Sequence, residues 1–262
     1  MVDQQTVEIE RYSFSKLSSW WTCPYGFKLR YVDHIRGEGN AFSSFGTLVH
    51  SIMERYSNGE LDLWELANVY EWEFDSAVPE PFPKNKFVDL RESYYRQGLT
   101  FLQSFEGYDD YKILGVEEQF EIKIDDWIFN GVIDLVFKDE NGRLIIRDYK
   151  SKAVFKSEAE KQKYARQLYL YSLYIYEKYG KYPDELQFWM FRKNKIEPVT
   201  FNINALNESI DWAKHTVETI RQAFDYPATC EEFYGTNLCN FRDTCEFKPR
   251  PKYTPRRGRR RT

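Results

Sequence analysis

The sequence has no apolar run long enough to cross a lipid bilayer, so we expect no membrane-spanning segment. Its first residues do not combine a basic start with a following apolar stretch, which is the pattern of a secretory signal. We therefore expect a cytoplasmic protein. The phosphate-binding pattern G-x-x-x-x-G-K-[ST] is absent, which argues against a nucleotide-driven motor, and the chain contains no internal repeat.

Cysteine is scarce, with four in 262 residues: Cys23, Cys230, Cys239 and Cys245. In a cytoplasmic protein a group of thiols indicates metal binding rather than disulfides. Four thiolates suit a tetrahedral zinc ion or an iron–sulfur cluster, but the paired C-x-x-C spacing typical of zinc sites is missing. The remaining interpretation is four unligated thiols.

Charge is plentiful but unevenly placed. Residues 248–262 carry +8, which leaves −12 on residues 1–247 of a chain whose net charge is −4. Such a basic tail is predicted to be disordered and able to hold a phosphate backbone, although a solubilising role fits equally well. Hydrophobic residues make up 42% and aromatic residues 18%, which indicates a soluble globular domain whose rings build the core or stack on bases.

The spacing of apolar residues separates helices from strands. Helical spacing predicts helices over 13–21, 44–57, 60–72, 88–106, 158–179 and 204–224, and Gly180 is predicted to end the fifth of these. Alternation predicts strands over 112–124, 125–138, 144–151, 185–193 and 197–203. The turn signal Asn141-Gly142 joins the second and third strands, so the first three form an antiparallel meander. The fold class is therefore α/β or α+β.

Two acids and a lysine interrupt strands that otherwise have the composition of buried ones. Asp134 lies in GVIDLVF, and Asp148 and Lys150 lie in LIIRDYK. Residues two apart on a strand face the same side, so Asp148 and Lys150 share a face. The hairpin between the strands brings Asp134 alongside them. The sequence thus predicts two carboxylates and an ammonium at one point of a sheet.

This set of groups suits phosphodiester hydrolysis. Carboxylates bind Mg²⁺ or Mn²⁺, which activate water and offset the charge that develops on phosphate. A lysine can orient the water or stabilise the same charge. A surface ion pair is the alternative, and the Asp-x-Lys pattern alone is common. The apolar context favours a site, because buried charges are costly unless they are paired or bound to metal.

Together with two further motifs, the two acids and the lysine make the chain resemble the RecB-type branch of the PD-(D/E)xK nuclease superfamily. Four short motifs carry the resemblance, and their order and spacing together are specific. They are G-x-x-D at 131–134, (D/E)-x-K at 148–150, Q-x-x-x-Y at 167–171 and G-x-x-x-H at 46–50. The resemblance implies a restriction-endonuclease-like α/β core, with a central mixed sheet flanked by helices and a helical N-terminal lobe.

The resemblance also implies roles for individual residues. The metal ligands would be His50, Asp134, Asp148 and the backbone carbonyl of Tyr149, and Lys150 would be catalytic. An acid on the preceding strand corresponds to Glu117 or Glu118, with Glu117 taken as the site residue. Gln167 and Tyr171, four apart on one helical face, would contact DNA or steady the site. Without the resemblance, His50 and Tyr171 would be interpreted as packing residues.

The cysteines resemble those of iron–sulfur nucleases of this family, including CRISPR adaptation nucleases and the helicase–nuclease AddB. One cysteine lies near the N-terminus and three lie near the C-terminus. The usual C-terminal spacing is C-x2-C-x5-C; here the x5 interval is kept, and Thr236 stands where the first of these cysteines would be. The resemblance implies a [4Fe–4S] cluster that ties the chain ends together, with zinc as the less favoured alternative.

We therefore predict a DNA exonuclease that uses Mg²⁺ or Mn²⁺ and acts on single strands or duplex ends. A structure-specific endonuclease and a non-catalytic DNA-binding module are the alternatives. Expected partners are DNA and, in a phage setting, recombination or replication proteins; the oligomeric state is left open. The predicted organisation is a helical lobe (1–110), a nuclease core (111–225), a cysteine-rich segment (226–247) and the basic tail (248–262). Aromatic residues that could stack on bases are Trp20, Trp21, Tyr25, Phe42 and Phe45.

Overall fold

Six β-strands form one mixed sheet in a computed structural model that describes residues 9–247. The strands are β1 (Arg11–Ser13), β2 (Lys112–Ile124), β3 (Trp127–Lys138), β4 (Leu144–Lys150), β5 (Glu185–Met190) and β6 (Lys195–Thr200). Strand β3 pairs antiparallel with β2 and β4 and parallel with β1, while β5 is parallel to β4 and antiparallel to β6. The predicted α/β fold with a mixed sheet is confirmed, as is the antiparallel meander of β2, β3 and β4.

Helices cover both faces of the sheet. They are α1 (Phe14–Thr22), α2 (Pro24–Tyr31), α3 (Ala41–Ser57), α4 (Leu66–Ala77), α5 (Leu90–Gln103), α6 (Glu158–Tyr179) and α7 (Ile203–Arg221). Buried residues of α6 and α7 form one core with the sheet, and those of α3, α4 and α5 form a second core on the opposite face. Within the described residues, no helix is both long and apolar enough to span a membrane.

Local signals fix the elements that carry the central motifs. The turn between β3 and β4 is closed by Asp139, whose side chain accepts hydrogen bonds from the backbone N–H groups of Asn141 and Arg143. Gly142 has a φ of +72°, which favours glycine. Helix α6 begins after Ser157, whose hydroxyl accepts from Glu160 N, and it ends at Gly180 in the left-handed region, as predicted.

The N-terminal segment lies against the sheet. Strand β1 pairs with residues 128–130 of β3, and Leu17 of α1 is buried in the same core as α6 and α7. These residues are expected in the N-terminal lobe, and the spacing of apolar residues predicts neither β1 nor α2. A strand of three residues is too short to show alternation, and α2 lacks a clear apolar face. The predicted basic tail, 248–262, lies outside the described residues.

Gly131, the first residue of the G-x-x-D motif, lies where a strand meets two aromatic rings. A β-carbon added there would stand 2.8 Å from Phe120 Cζ and 2.9 Å from Tyr171 Cε1. Both rings are buried and packed edge to face, with centroids 5.1 Å apart. The glycine therefore allows α6, which carries Tyr171, to pack closely on β3.

We predict that Gly131→Ala destabilises the fold by about 1–3 kcal/mol, because two buried rings must shift to admit the methyl group. Chemical denaturation measures the change in unfolding free energy. Gly26→Ala is the matched control, since the added carbon meets nothing closer than 3.7 Å on α2. Equal stability of Gly131→Ala and the parent would contradict this account of the packing.

Candidate active site

The register of β3 and β4 places the two motif aspartates opposite each other. Leu135 pairs with Arg147, and one step further along the same register Asp134 faces Asp148. Asp134 Oδ2 accepts a hydrogen bond of 2.7 Å from the backbone N–H of Tyr149. The charge of Asp148 raises the pKa of Asp134, and both aspartates raise the pKa of Glu117. Asp134 and Asp148 are thus the next residues on two paired strands, close enough for the charge of one to act on the other.

Glu117 joins these acids from the neighbouring strand β2. Its flanking residues Val116 and Glu118 pair with Leu135 and Ile133, so Glu117 lies opposite Asp134. Its φ is +44°, an unusual value for a residue other than glycine. Glu118 points elsewhere, because its carboxylate accepts hydrogen bonds from Tyr174 and Lys178 of α6. The structure thus separates two neighbouring acids that the sequence leaves as alternatives.

His50 reaches the same point from α3, on the other face of the sheet. A carboxylate oxygen of Glu117, one of Asp134 and a ring nitrogen of His50 all lie within 4.8 Å of one another. His50 Nδ1 is 3.6 Å from Asp134 Oδ2, and Nε2 is 2.9 Å from the carbonyl oxygen of Tyr149. The donor and acceptor roles of the two ring nitrogens depend on the tautomer, so either Nδ1 beside Asp134 or Nε2 beside the Tyr149 carbonyl can present a lone pair to a cation.

Gly46 permits this approach of α3 to the sheet. It lies one helical turn before His50, and a β-carbon there would stand 3.4 Å from Ser151, just beyond the end of β4. That distance is at the short end of ordinary van der Waals contact, so little room remains between the helix and Ser151. The G-x-x-x-H spacing therefore combines a close helix–sheet contact with a histidine on the same helical face.

Lys150 begins a chain of hydrogen bonds that runs along α6. Its Nζ lies 2.7 Å from Asp148 Oδ2 and donates to Gln167 Oε1 at 2.9 Å. Gln167 Nε2 in turn donates to the Tyr171 hydroxyl at 2.9 Å. Gln167 thus receives a hydrogen bond from Lys150 and gives one to Tyr171. The Q-x-x-x-Y motif holds the lysine beside its aspartate.

Asp148 keeps an oxygen without a hydrogen bond. The residue is 4% exposed, and its Oδ2 lies 2.7 Å from the Lys150 ammonium in an ion pair without accepting a hydrogen bond. A buried carboxylate oxygen normally has hydrogen-bonding partners. The charge of Lys150 alone therefore balances this oxygen, while His50, Glu117 and Asp134 form the group able to hold a divalent cation.

The electrostatics of the site also favour a cation. Burial, followed by the charges of Asp134, Glu54 and Asp148, raises the pKa of Glu117 to about 7. Burial and then Asp148 raise the pKa of Asp134 to about 6, against the opposing effect of His50. Like-charged carboxylates held together away from water destabilise one another's ionised forms, and a bound metal ion removes that penalty.

These residues follow the motifs of a known family over nearly the whole described chain. The model of the PD-(D/E)XK nuclease superfamily matches residues 11–249. The chain belongs to this superfamily. Nucleases of the superfamily generally use divalent metals, and the group formed by His50, Glu117 and Asp134 is a candidate site for one.

Two solved structures are similar to this chain. A protein from Eubacterium rectale that is proposed to be an exonuclease is similar with a TM-score of 0.55 and 12% identity, covering 92% of this chain and 91% of its own. The structure of SSO0001 has a TM-score of 0.40 and 14% identity, covering 92% of this chain and 88% of its own. The first likeness supports the fold alone. No curated protein matches the sequence.

The four cysteines are free thiols and are not clustered at metal-binding distance of one another. Within residues 9–247, no three of their sulfur atoms lie within 4.8 Å of each other. Tetrahedral zinc with bonds of about 2.3 Å would hold four sulfur atoms closer together than this. The chain ends nevertheless approach each other: Cys23 and Cys239 line one cavity of about 90 Å³. Burial and the charges of Cys23, Cys239 and Cys245 raise the pKa of the Cys230 thiol to about 11.

Sequence reasoning missed one acid that acts on the site. Glu54 is the third cause of the raised pKa of Glu117. It lies four residues after His50 on α3, and that spacing puts both side chains on one face of the helix. The four-residue spacing between His50 and Glu54 is visible in the sequence. It indicates a site residue only after His50 has been assigned to the site.

We predict that the metal-free protein loses stability as pH rises from about 5 to about 8. The pKa of Glu117 is raised above its ordinary value, so the folded state binds more protons than the unfolded state in this window, and the unfolding free energy falls as pH increases. Glu117→Gln removes this carboxyl and has a flatter pH dependence. Thermal unfolding in EDTA measures it.

Glu121→Gln is the matched control for this prediction, since Glu121 lies on the same strand and forms an exposed ion pair with Arg11. It follows the pH dependence of the parent. A Glu117→Gln variant whose melting temperature also tracks the parent at every pH would show that the Glu117 carboxyl is not destabilised by its neighbours.

Proposed function

We propose that this protein is a metal-dependent deoxyribonuclease that hydrolyses phosphodiester bonds, acting as an exonuclease on single strands or duplex ends. The observation that carries the proposal is the group of His50, Glu117 and Asp134, whose ligand atoms lie within 4.8 Å of one another, near the Asp148–Lys150 ion pair. The superfamily supports nuclease activity, and DNA is the substrate that it implies. The exonuclease mode agrees with the activity proposed for the Eubacterium rectale protein.

The donor set fits a hard divalent cation, Mg²⁺ or Mn²⁺. The ligands would be His50, Glu117, Asp134, Asp148 and the carbonyl oxygen of Tyr149, a set dominated by oxygen. When bound, the metal lowers the pKa of water and offsets negative charge on phosphate. The raised pKa values of Glu117 and Asp134 support this assignment, because each reports a carboxylate that gains from a nearby positive charge.

Lys150 is proposed to act directly on the substrate. Its ammonium is held between Asp148 and Gln167, so its position is fixed before DNA arrives. From there it can donate to a phosphate oxygen or orient the attacking water, and a preorganised donor of this kind costs little reorganisation during the reaction. Tyr171 is proposed to act through Gln167, as a positioning residue. Burial raises the pKa of the Tyr171 hydroxyl, which keeps it neutral.

We predict that Asp148→Asn and Lys150→Ala each lower DNA cleavage by at least about 100-fold, since each removes a group that stabilises charge in the transition state. Loss of end-labelled single- and double-stranded DNA in Mn²⁺ is the measurement, with EDTA as the metal-free control. The matched controls are Asp75→Asn and Lys181→Ala, which alter surface ion pairs and leave cleavage unchanged. Variants at Asp148 and Lys150 that degrade DNA as fast as the parent would refute the assignment.

The same assay separates the modes of cleavage. An exonuclease leaves closed circular single strands intact and degrades linear ones, whereas an endonuclease cuts both. A parent protein that binds DNA but cleaves neither form in Mn²⁺ would identify a non-catalytic binding module instead.

We further propose that Cys23, Cys230, Cys239 and Cys245 hold a [4Fe–4S] cluster. In such a cluster each cysteine binds a different iron atom, so the sulfur atoms stand further apart than around one zinc ion. The charges of Cys23, Cys239 and Cys245 all act on the Cys230 thiol, which supports a common location for the four. Segments from both chain ends already meet here: the side chain of Asn40 donates to the Leu238 carbonyl, and Tyr25 donates to Glu246. Cluster binding would add its free energy to folding.

We predict that protein purified without oxygen is brown and absorbs near ~400 nm, from sulfur-to-iron charge transfer. Cys239→Ser, which replaces a buried ligand, loses the absorbance and lowers the melting temperature. Ser18→Ala on α1 is the control and keeps both. A colourless protein containing zinc, or one with no metal, would contradict the cluster.

A further inference from the structure

A groove of about 700 Å³ lies between α1, α6 and α7, outside the carboxylate site. Its walls combine aromatic and basic side chains, and within the described part of the chain no acidic residue lines it. The residues that define it are Trp21, Lys163, Tyr164, Arg166, Trp212 and His215. Its volume falls in the range of about 300–1,000 Å³ that is typical of ligand sites.

Trp21 forms an exposed aromatic platform in this groove. Its side chain is 52% exposed, although burial of an indole is usually favourable. The ring is nevertheless held in place, because its Nε1 donates a hydrogen bond of 2.9 Å to the hydroxyl of the buried Thr216. His215 stacks against it with ring centroids 6.2 Å apart and an angle of 24° between the planes. A fixed, exposed flat surface of this kind suits stacking of a further planar group.

The charge of the groove is unusual for this protein. Residues 1–247 carry a net charge of −12, yet Lys163 and Arg166 face the groove on α6. Among residues 9–247 neither cation has a carboxylate partner, and the guanidinium of Arg166 lies 5.3 Å from the ring centre of Trp212. Unpaired cations beside exposed aromatic rings are the two features that single-stranded nucleic acids require, namely phosphate neutralisation and base stacking.

Tyr164 connects the groove with the proposed catalytic lysine. It lines the groove, and its ring centre lies 5.7 Å from Lys150 Nζ and 5.1 Å from Lys152 Nζ. It precedes Gln167 by three residues, so both side chains lie on neighbouring positions of α6. A strand held in the groove would therefore run past Tyr164 to Lys150. Bases within a duplex are stacked on each other and not available to Trp21, so the occupant must be unpaired.

We propose that this groove binds the single-stranded DNA segment next to the scissile phosphate, with a base stacked on Trp21 and phosphates paired with Lys163 and Arg166. The inference rests on the proposed nuclease function for its substrate. It extends that function by naming an unpaired strand and the residues that hold it.

The test measures binding without cleavage. Fluorescence anisotropy in EDTA follows an end-labelled oligo(dT) and an oligomer of equal length and charge whose central nucleotides are abasic. The parent binds oligo(dT) more tightly than the abasic strand. Trp21→Ala weakens oligo(dT) binding by about 5- to 150-fold, the range expected for one base stacked on an aromatic residue, and reduces the preference for bases. Trp21→Phe retains part of that preference.

Arg166→Ala changes DNA affinity in a different way from Trp21→Ala. It weakens binding of both strands alike and reduces the slope of log affinity against log salt concentration by about 1, as loss of one phosphate contact predicts. The matched controls are Trp72→Ala, an indole 84% exposed on α4, and Arg96→Ala on α5; both bind like the parent. Circular dichroism establishes that each variant is folded, and Trp21→Phe and Arg166→Ala remain informative if Trp21→Ala is not.

Three outcomes would overturn the inference. The first is parent-like binding of oligo(dT) by both Trp21→Phe and Arg166→Ala. The second is an equal loss of affinity for blunt duplex DNA, which would show that the groove does not select unpaired bases. The third is tighter, Trp21-dependent binding of an RNA strand of the same length. Failure of the nuclease proposal is separate, because Asp148→Asn abolishes cleavage in that proposal but leaves binding in EDTA intact.

Discussion

The free-energy cost of holding Glu117, Asp134 and Asp148 together, away from bulk water, is the constraint on which the rest of the site depends. Carboxylates in such a group repel one another, and burial adds to the penalty. The surrounding residues offset this free-energy cost only in part. One backbone N–H, one histidine and one lysine approach the group, and an oxygen of Asp148 is left without a hydrogen bond. The site is therefore stabilised most by a ligand that the polypeptide does not contain.

This constraint explains why glycine stands at two motif positions that carry no chemistry. Gly131 lets α6 approach β3, and Gly46 lets α3 approach the end of β4. The two helices lie on opposite faces of the sheet, and they bring Gln167 to Lys150 and His50 to Asp134. Larger residues would hold the helices off, so that these side chains would no longer reach. Packing distance and chemistry are thus specified by the same short motifs.

Elements with local signals could be predicted from the sequence, and elements that depend on distant partners could not. Helix α6 begins and ends where its capping residues indicate, and the β3–β4 turn lies at its predicted residues. Strand β1 has three residues and gains its hydrogen bonds from β3, more than a hundred residues away, so no local pattern indicates it. The choice between Glu117 and Glu118 depends on an irregularity of register in β2 between Ile113 and Gly115, which changes the side that later residues face. Likewise, the groove forms from three helices that are distant in sequence, and only their packing distinguishes the exposed Trp21 from the buried Trp20.

Cys23 joins helices α1 and α2 next to the groove. Its backbone N–H donates to Ser19 and closes α1, while its sulfur accepts from Gly26 N and begins α2. One residue therefore fixes the orientation of two helices, and Trp21 lies two positions before it. A change at this sulfur that removes the hydrogen bond from Gly26 N would loosen the start of α2, next to the segment of α1 whose indole donates to Thr216. The chemistry of one thiol is thereby coupled through the chain to the wall of the groove.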